Sequence, residues 1–189
     1  MIKKIIPFIF LLVCCTNAND PFDWVGEIPE SWTLEEKDFE YYLGEFHRRY
    51  PEFHSRLKAI NLWRIGTPYG LYCLGEENEK DPDPIIRYDS SDCTVHMLTT
   101  LAYAKSHTMA EARKNMIDIH YKADLNNKKI PSYDSRWHFT SDRILNHPMT
   151  VDMTYSLIDS SNIEKVEIEL NKKKNGNPFL DIDWSSKEN

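Results

Sequence analysis

Cys93 occupies a position from which a cysteine can act as a nucleophile. It follows Asp92 in the stretch YDSSDCTVHMLTTLA, residues 88–102, and the apolar residues after it recur at the spacing of a helix. The unpaired amides and the dipole at a helix start favour a thiolate, and the same amides stabilise the oxyanion that forms when a carbonyl is attacked. The pattern therefore allows acyl transfer, although a disulfide or a buried thiol would need no further partners.

Residues 1–18 have the composition of a secretory signal. Lys3 and Lys4 precede a short apolar run, and small or polar residues follow it. That run is well below the roughly 20 residues that a spanning helix needs. Two outcomes stay open, which are cleavage after Ala18 and lipidation of Cys15 in a lipoprotein-like box. Either one predicts a protein exported to the periplasm, or held at the outer membrane by its lipid.

Export makes a disulfide a serious alternative for Cys93. Cys73 is the other cysteine outside the signal region, and an even number of cysteines in an oxidising compartment is typical of disulfide pairing. A Cys73–Cys93 bond would leave no nucleophile and would favour a non-catalytic envelope or binding protein. We predict instead that Cys93 is reactive and unpaired, because it opens a helix whereas Cys73 lies in a glycine-bounded loop.

Helices are predicted on both sides of the long loop that precedes this cysteine. Thr33 begins a sequence with the form of a capping box, and the apolar residues after it fall on one helical face. Pro51 suits the first turn of a second helix that runs to about residue 63, and Thr108 begins another capping box. Between residues 66 and 84, three glycines and three prolines predict a loop with turns, of the kind that often surrounds a site.

The later part of the chain predicts short strands. Residues 117–121, 137–139 and 166–170 favour strands, the last of them by regular alternation. Helices first and strands later indicate one α+β domain over residues 33–189, after an irregular lead-in at residues 19–32. A single domain is expected because 189 residues, 41% of them hydrophobic, suffice for one core.

Composition and motifs argue against several classes of protein. The formal net charge is -7 and the basic residues are scattered, so no surface for nucleic acid is indicated. Neither His-Glu-x-x-His nor Cys-x-x-Cys is present, which argues against a zinc hydrolase, and the Gly-x-Ser-x-Gly of serine hydrolases is absent. We therefore expect no metal ion and no cofactor.

Three segments, taken in order, resemble one family of enzymes. RIGTPYGLYCLGE at residues 64–76, DPDPIIRYDSSDCTVHMLTTLAYA at residues 81–104 and YDSRWHFTSDRI at residues 133–144 are similar to segments of the N-acetylmuramoyl-L-alanine amidase-like branch of the NlpC-type papain-like cysteine peptidases, which are bacterial cell-wall enzymes. The resemblance implies a papain-like α+β fold, in which N-terminal helices precede a small antiparallel sheet. It also implies hydrolysis of the amide between the muramic lactyl group and L-alanine in peptidoglycan fragments, the muropeptides.

The resemblance assigns roles to five residues. Cys93 matches the nucleophile, Tyr69 matches the tyrosine of the loop that lines the cleft, and Asp92 matches the residue before the nucleophile. Arg136 and His138 belong to the Ser-Arg-x-His segment of this branch, where the resemblance implies substrate contacts or support of the site. Without the resemblance, Tyr69 would be interpreted as a turn aromatic and His138 as a structural histidine.

The general base that such an amidase needs is missing from its expected place. In this superfamily the base is a histidine in a His-x-Gly segment on a late strand, and none of the 7 histidines of this chain precedes x-Gly. Two explanations stay open. Either the chain stops before the strands that carry the base, which leaves the sheet incomplete, or His138 acts as the base.

The sequence therefore predicts a cell-wall amidase whose partners are muropeptides. Cys93 is the expected nucleophile, and attachment to a membrane is expected only through a lipidated Cys15. The alternative is a catalytically inactive, secreted envelope protein in which Cys73 and Cys93 are bridged.

Overall fold

Helices account for most of the described chain. The computed structural model of the protein describes residues 20–78, 80–164, 166, 173–174 and 177–178. The α-helices of these residues are α1 Asp23–Glu27, α2 Glu36–Arg49, α3 Phe53–Trp63, α4 Cys93–Ala104, α5 Met109–His120, α6 Thr140–Asn146 and α7 Thr154–Leu157. Short 3₁₀ helices lie at Ser31–Thr33, Tyr133–Ser135 and Ser160–Asn162, and the strands β1 Lys173–Lys174 and β2 Asn177–Pro178 pair in antiparallel fashion. Within the described ranges, no helix is long and apolar enough to cross a membrane.

The helix α2 begins later than its capping pattern predicts. Thr33 ends a 3₁₀ turn, in which its Oγ1 donates to the carbonyl of Glu30 at 2.7 Å, so it is not the cap. Glu35 occupies the cap position without a side-chain hydrogen bond. The predicted apolar face is nevertheless confirmed, because its buried residues are Phe39, Leu43, Phe46 and Tyr50.

Side chains cap the starts of α3 and α5. Glu52 accepts hydrogen bonds from the amides of His54 and Ser55 at 2.9 and 2.7 Å, so α3 begins just after Glu52 and not at the predicted proline. Thr108 Oγ1 accepts from the amide of Glu111 at 3.1 Å, which confirms the predicted start of α5. These caps satisfy amides that a helix start leaves without partners.

Aromatic rings hold α2, α3 and α4 around one core. The ring of Phe39 on α2 packs on Trp63 of α3 and on Tyr103 of α4, with centroid distances of 5.4 Å in both pairs. Phe46 adds a second α2 contact to Trp63 at 5.1 Å, and the Trp63 indole donates to the carbonyl of Pro29 at 2.7 Å. These contacts fix the direction of α4, and therefore the place where its first residue, the cysteine, emerges.

The predicted papain-like α+β fold is wrong for the described residues. They form a helical fold, and their strand structure is limited to the two-residue pair of β1 and β2 and to isolated bridges. Residues 137–139 form no strand and connect the 3₁₀ helix Tyr133–Ser135 to α6. Of the predicted strand at residues 166–170, all but the first residue lie outside the described residues, so no small antiparallel sheet of the expected kind is described.

Residues 117–121 were predicted as a strand but mostly form the end of α5. The buried residues of this helix are Met109, Ala112, Met116, Ile119 and His120, which recur at helical spacing from the capped start onward. A short apolar run does not distinguish a strand from the end of a buried helix. The helix that begins at the Thr108 cap therefore continues through this run as far as His120.

A buried histidine and arginine join the end of α5 to α6. Arg143 Nη2 lies 3.1 Å from His120 Nδ1 and also donates to the carbonyl of Trp137 at 2.8 Å. Since arginine can only donate, His120 Nδ1 accepts and stays unprotonated. Burial, reinforced by the charge of Arg143, lowers the pKa of His120 from 6.5 to about 3. The imidazole is therefore neutral in the folded protein at neutral pH.

We expect acid to destabilise the protein through His120. Above pH 6.5 this histidine is neutral in both states, but as the pH falls from 6.5 toward 3 only the unfolded chain takes up the proton, so the free energy of unfolding decreases. The loss approaches about 1.4 kcal/mol per pH unit for this group. Burial also lowers the pKa of His47, to about 4, which adds to the loss in the same direction.

Urea unfolding between pH 7.5 and pH 4.5 measures this dependence. His120→Asn keeps an acceptor for Arg143 and should flatten the slope, whereas His54→Gln, at an exposed histidine of α3, should leave the slope unchanged. An equal slope in wild type and His120→Asn would contradict the prediction.

Candidate active site

Cys93 is the first residue of α4, and its thiol is exposed. Asp92 is the N-cap of the helix, since its Oδ1 accepts a hydrogen bond from the amide of Val95 at 2.8 Å. This confirms that the helix starts where the sequence predicts. No hydrogen bond among the described residues uses the amides of Cys93 and Thr94, so both stay available at the helix start.

The loop that carries Tyr69 lies against the chain just before Cys93. The amide of Ser91 donates to the carbonyl of Pro68 at 2.8 Å, and the amide of Gly70 donates to the carbonyl of Ser91 at 3.3 Å, which forms a parallel bridge between Tyr69 and Ser91. The Tyr69 side chain is 76% exposed, so it is not packed in the core as a turn aromatic would be. Two of the three sequence segments are thus adjacent in space.

Cys73 lies beneath this loop as a buried thiol. Its Sγ donates to the carbonyl of Leu71 at 3.4 Å and lies 3.5 Å from the hydroxyl of Ser90. A Cβ added at Gly70 would lie 2.8 Å from that sulfur, so a glycine is needed for the loop to pass so closely. Both Cys73 and Cys93 are free thiols in the structure.

Arg136 is buried and supports the second half of the same loop. Its Nε donates to Glu76 and its Nη2 donates to Asp81 Oδ2 at 2.8 Å. Burial alone would lower the pKa of Arg136, but its hydrogen bonds to the two carboxylates outweigh this effect and raise the pKa. Of the two roles that the resemblance implies for Arg136, this position favours support of the site.

The end of α5 gives the loop a further support. The hydroxyl of Tyr121 donates to the carbonyl of Gly75 at 2.8 Å, and Tyr121 pairs with Arg136 in an isolated antiparallel bridge. A Cβ on Gly75 would lie 2.5 Å from the carbonyl oxygen of Asp83, so only glycine allows the two sides of this turn to approach. The third sequence segment therefore contacts the loop and not Cys93 itself.

His138 is exposed and lies on the segment after Arg136. Its Nε2 is 2.7 Å from the carbonyl of Tyr133, and its ring packs on the Tyr133 ring with a centroid distance of 4.8 Å. No hydrogen bond or ring contact of the described residues joins His138 to Cys93. Its role as the base stays a prediction.

His96 is a residue of this region that the sequence analysis passed over. It lies one turn after Cys93 on α4, and its Nε2 is 2.8 Å from Oδ1 of Asn61 on α3. Burial, together with the charge of Arg64, lowers the pKa of His96. The spacing Cys-x-x-His within a predicted helix was the signal that could have identified it, because residues i and i+3 share a helix face.

A separate groove of about 710 Å³ lies outside this region. Its charged lining residues are Glu36, Glu40, Glu77, Arg87, Asp89 and Arg113. None of the five predicted site residues lines it, so the candidate site is the open surface at the start of α4. In the described part of the chain, no group of three or more His, Cys, Asp or Glu side chains is arranged to hold a metal ion.

Comparison with known proteins identifies the family. The sequence matches the AmiA-like family, described as N-acetylmuramoyl-L-alanine amidase-like, over residues 60–182. The chain belongs to this family. The match includes Cys93, Tyr69 and Arg136, and it confirms the predicted resemblance to an N-acetylmuramoyl-L-alanine amidase-like family. The placement of the AmiA-like chain in the NlpC-type superfamily stays a prediction.

The AmiA-like chain is similar to the crystal structure of a protein of family DUF1460 from Legionella pneumophila str. Philadelphia 1, with 29% sequence identity and a TM-score of 0.48. The similarity covers 62% of this chain and 38% of that chain, so the match spans less than half of the Legionella protein. No curated protein matches the chain.

We expect Arg136→Met to destabilise the protein by about 3–5 kcal/mol, because it leaves Glu76 and Asp81 buried without their cation. Arg136→Lys keeps the charge but loses the planar fork that reaches both carboxylates, and it should cost less. Urea unfolding at pH 7 measures both.

Arg113→Met provides the matched control. This arginine pairs with Glu77 of the same loop on the surface, where both side chains are more than a third exposed, so its loss should cost less than about 1 kcal/mol. Equal effects at Arg136 and Arg113 would show that burial of the Arg136 ion pair is not what stabilises the loop.

Proposed function

We propose that this AmiA-like chain hydrolyses the amide between the N-acetylmuramoyl group and L-alanine in peptidoglycan fragments, with Cys93 as the nucleophile. Family membership supports the general class, which is an amidase-like protein related to peptidoglycan. The observation that carries the nucleophile is the exposed thiol at the first residue of α4, beside the bridge between Tyr69 and Ser91.

The start of α4 suits the first chemical step. The Cys93 sulfur attacks the lactyl carbonyl carbon, a carbon–sulfur bond forms, and the carbonyl oxygen becomes negatively charged. The amides of Cys93 and Thr94 are free of other hydrogen bonds among the described residues, and the helix dipole favours negative charge at this end. Asp92 uses its carboxylate on the amide of Val95, so it shapes the helix start without competing for the other two amides.

The remaining steps release the two products. The carbon–nitrogen bond breaks as the leaving nitrogen takes up the proton that the thiol gave up when its sulfur attacked, which frees a peptide that begins with L-alanine and leaves a thioester on Cys93. Water then hydrolyses the thioester, which frees the muramoyl carboxylate and restores the thiol. Tyr69, next to the bridge with Ser91, and Met97, one turn after Cys93 on α4, both have exposed side chains that offer apolar surface for the substrate.

We also propose that the protein works outside the inner membrane. Muropeptides arise from the cell wall, and the signal-like composition of residues 1–18, which lie outside the described residues, predicts export. Lipidation of Cys15 is the alternative to release as a soluble periplasmic protein.

Chromatography of purified muropeptides after incubation with the protein tests this function. We expect free glycan and a stem peptide with an amino-terminal L-alanine, and we expect Cys93→Ser to lower kcat by about 10⁴-fold or more. His54→Gln replaces an exposed residue of α3 and serves as the control, because it should leave turnover at the wild-type level. Cleavage within the stem peptide would contradict the substrate, and turnover by Cys93→Ser would contradict the nucleophile.

A secreted binding protein is the second candidate. It is favoured by the position of His138, which contacts Tyr133 and not Cys93, and it requires that Cys73 leave its buried site to bond Cys93. Peptide mapping by mass spectrometry without reductant distinguishes the two functions. A linked Cys73–Cys93 peptide would exclude the amidase, whereas alkylation of Cys93 alone would support it.

A further inference from the structure

The guanidinium of Arg64 lies in the core without a hydrogen-bond partner. Arg64 directly follows Trp63, the last residue of α3, and it is fully buried. Its Nε, Nη1 and Nη2 make no hydrogen bond to any residue that the structure describes. Burial lowers the pKa of Arg64, but a guanidinium keeps its proton in proteins, so a positive charge and five N–H donors remain inside.

Other buried arginines of the protein have their charge or their donors satisfied. Arg136 donates to two carboxylates, and Arg56 donates to the carbonyls of Ala104, Tyr50 and Pro51 at 2.7, 2.8 and 2.9 Å. A buried charge with neither kind of partner is among the most costly arrangements in a folded protein. The contrast with these two residues indicates that something outside the described chain balances Arg64.

The side chains beside Arg64 supply hydroxyl groups and no negative charge. Its Cζ lies 5.5 Å from the centroid of the Tyr103 ring, and the fully buried Tyr103 hydroxyl also lacks a partner in the described part of the chain. Burial raises the pKa of Tyr103, so this hydroxyl stays protonated and does not balance Arg64 as a phenolate. Thr99, one turn earlier on α4, is fully buried with an unpartnered hydroxyl as well.

We propose that Arg64 and Tyr103 bind one small, singly charged inorganic anion of the size of chloride. The Arg64 N–H groups and the Tyr103 O–H would donate to it, and its single charge would balance that of the guanidinium. Full burial of both residues excludes a bulky organic anion. The bound ion would join the end of α3 to α4, the helix that begins with Cys93. This proposal does not depend on the proposed amide hydrolysis.

Thermal unfolding of the full chain in sodium chloride and in sodium gluconate, at equal ionic strength and pH 7.5, tests the site. Gluconate is too large to enter, so we expect Tm to be a few degrees higher in chloride and to rise with the logarithm of its concentration. Equal Tm values of wild type in the two salts would overturn the proposal.

Arg64→Met separates this site from general effects of salt. It should abolish the chloride dependence and should unfold at a higher temperature than wild type in gluconate, because it removes an unbalanced charge. Arg113→Met, which removes an arginine from the surface, should keep the full chloride dependence. Full chloride dependence in Arg64→Met would place the ion elsewhere and overturn the proposal.

Tyr103→Phe keeps the ring and removes only the hydroxyl. It should shift the chloride dependence to concentrations about tenfold higher, as expected for the loss of one hydrogen bond to the ion. An unchanged chloride dependence in this variant would contradict the role of Tyr103.

Bromide locates the ion directly, because it replaces chloride and scatters anomalously. In crystals of the wild-type protein grown with sodium bromide, we expect an anomalous peak within hydrogen-bond distance of the Arg64 guanidinium nitrogens. Peaks at the protein surface alone would mean an adventitious ion only and would overturn the proposal. A carboxylate of the chain seated on Arg64 in those crystals would overturn it as well.

Discussion

The buried ion pair of Arg136 with Glu76 and Asp81 is the constraint on which the site depends. It joins residues that are 60 and 55 positions apart in the chain, and it ties the segment after α5 to the loop between α3 and α4. Burying three charges costs several kcal/mol each before their attraction is counted. Such an arrangement is better explained by geometry than by stability, because the planar fork of arginine accepts two carboxylates only at set distances and angles.

The loop held in this way positions the thiol mainly through its backbone. The bridge between Tyr69 and Ser91 sets the distance from the loop to the residues before Cys93, and Asp92 sets the start of α4. The aromatic contacts of Phe39 with Trp63 and Tyr103 hold α4 against the other helices from behind. Each contact acts on a different element, so the exposed sulfur is located by the sum of the three, and no hydrogen bond among the described residues holds the sulfur itself.

The sequence predicted local features well and the sheet badly. The apolar face of α2, the cap at Thr108 and the helix that opens at Cys93 all depend on residues within one or two turns of each other, so their spacing is visible in the chain. The strand expected at residues 117–121 failed because a short apolar run suits a helix end equally well.

The partners of Arg136 and His96 were also not predictable from spacing alone. Glu76 and Asp81 contact Arg136 across the fold, and Asn61 reaches His96 from a neighbouring helix, so these pairs exist only after the helices have packed. The family resemblance directed attention to Arg136, but it implied substrate contact and support equally. Burial beside two carboxylates is a tertiary property, and it is what distinguishes those two roles.

The backbone bridge beside Cys93 also bears on how this surface can change during evolution. Its hydrogen bonds use the carbonyl of Pro68, the amide of Gly70, and the amide and carbonyl of Ser91, and none of them uses the side chain of Tyr69. Replacing the exposed ring of Tyr69 would alter what a ligand meets without moving the loop or the thiol. Under the proposed function, specificity could therefore drift at this position while the thiol stays in place, which would separate the selection of substrates from the maintenance of chemistry.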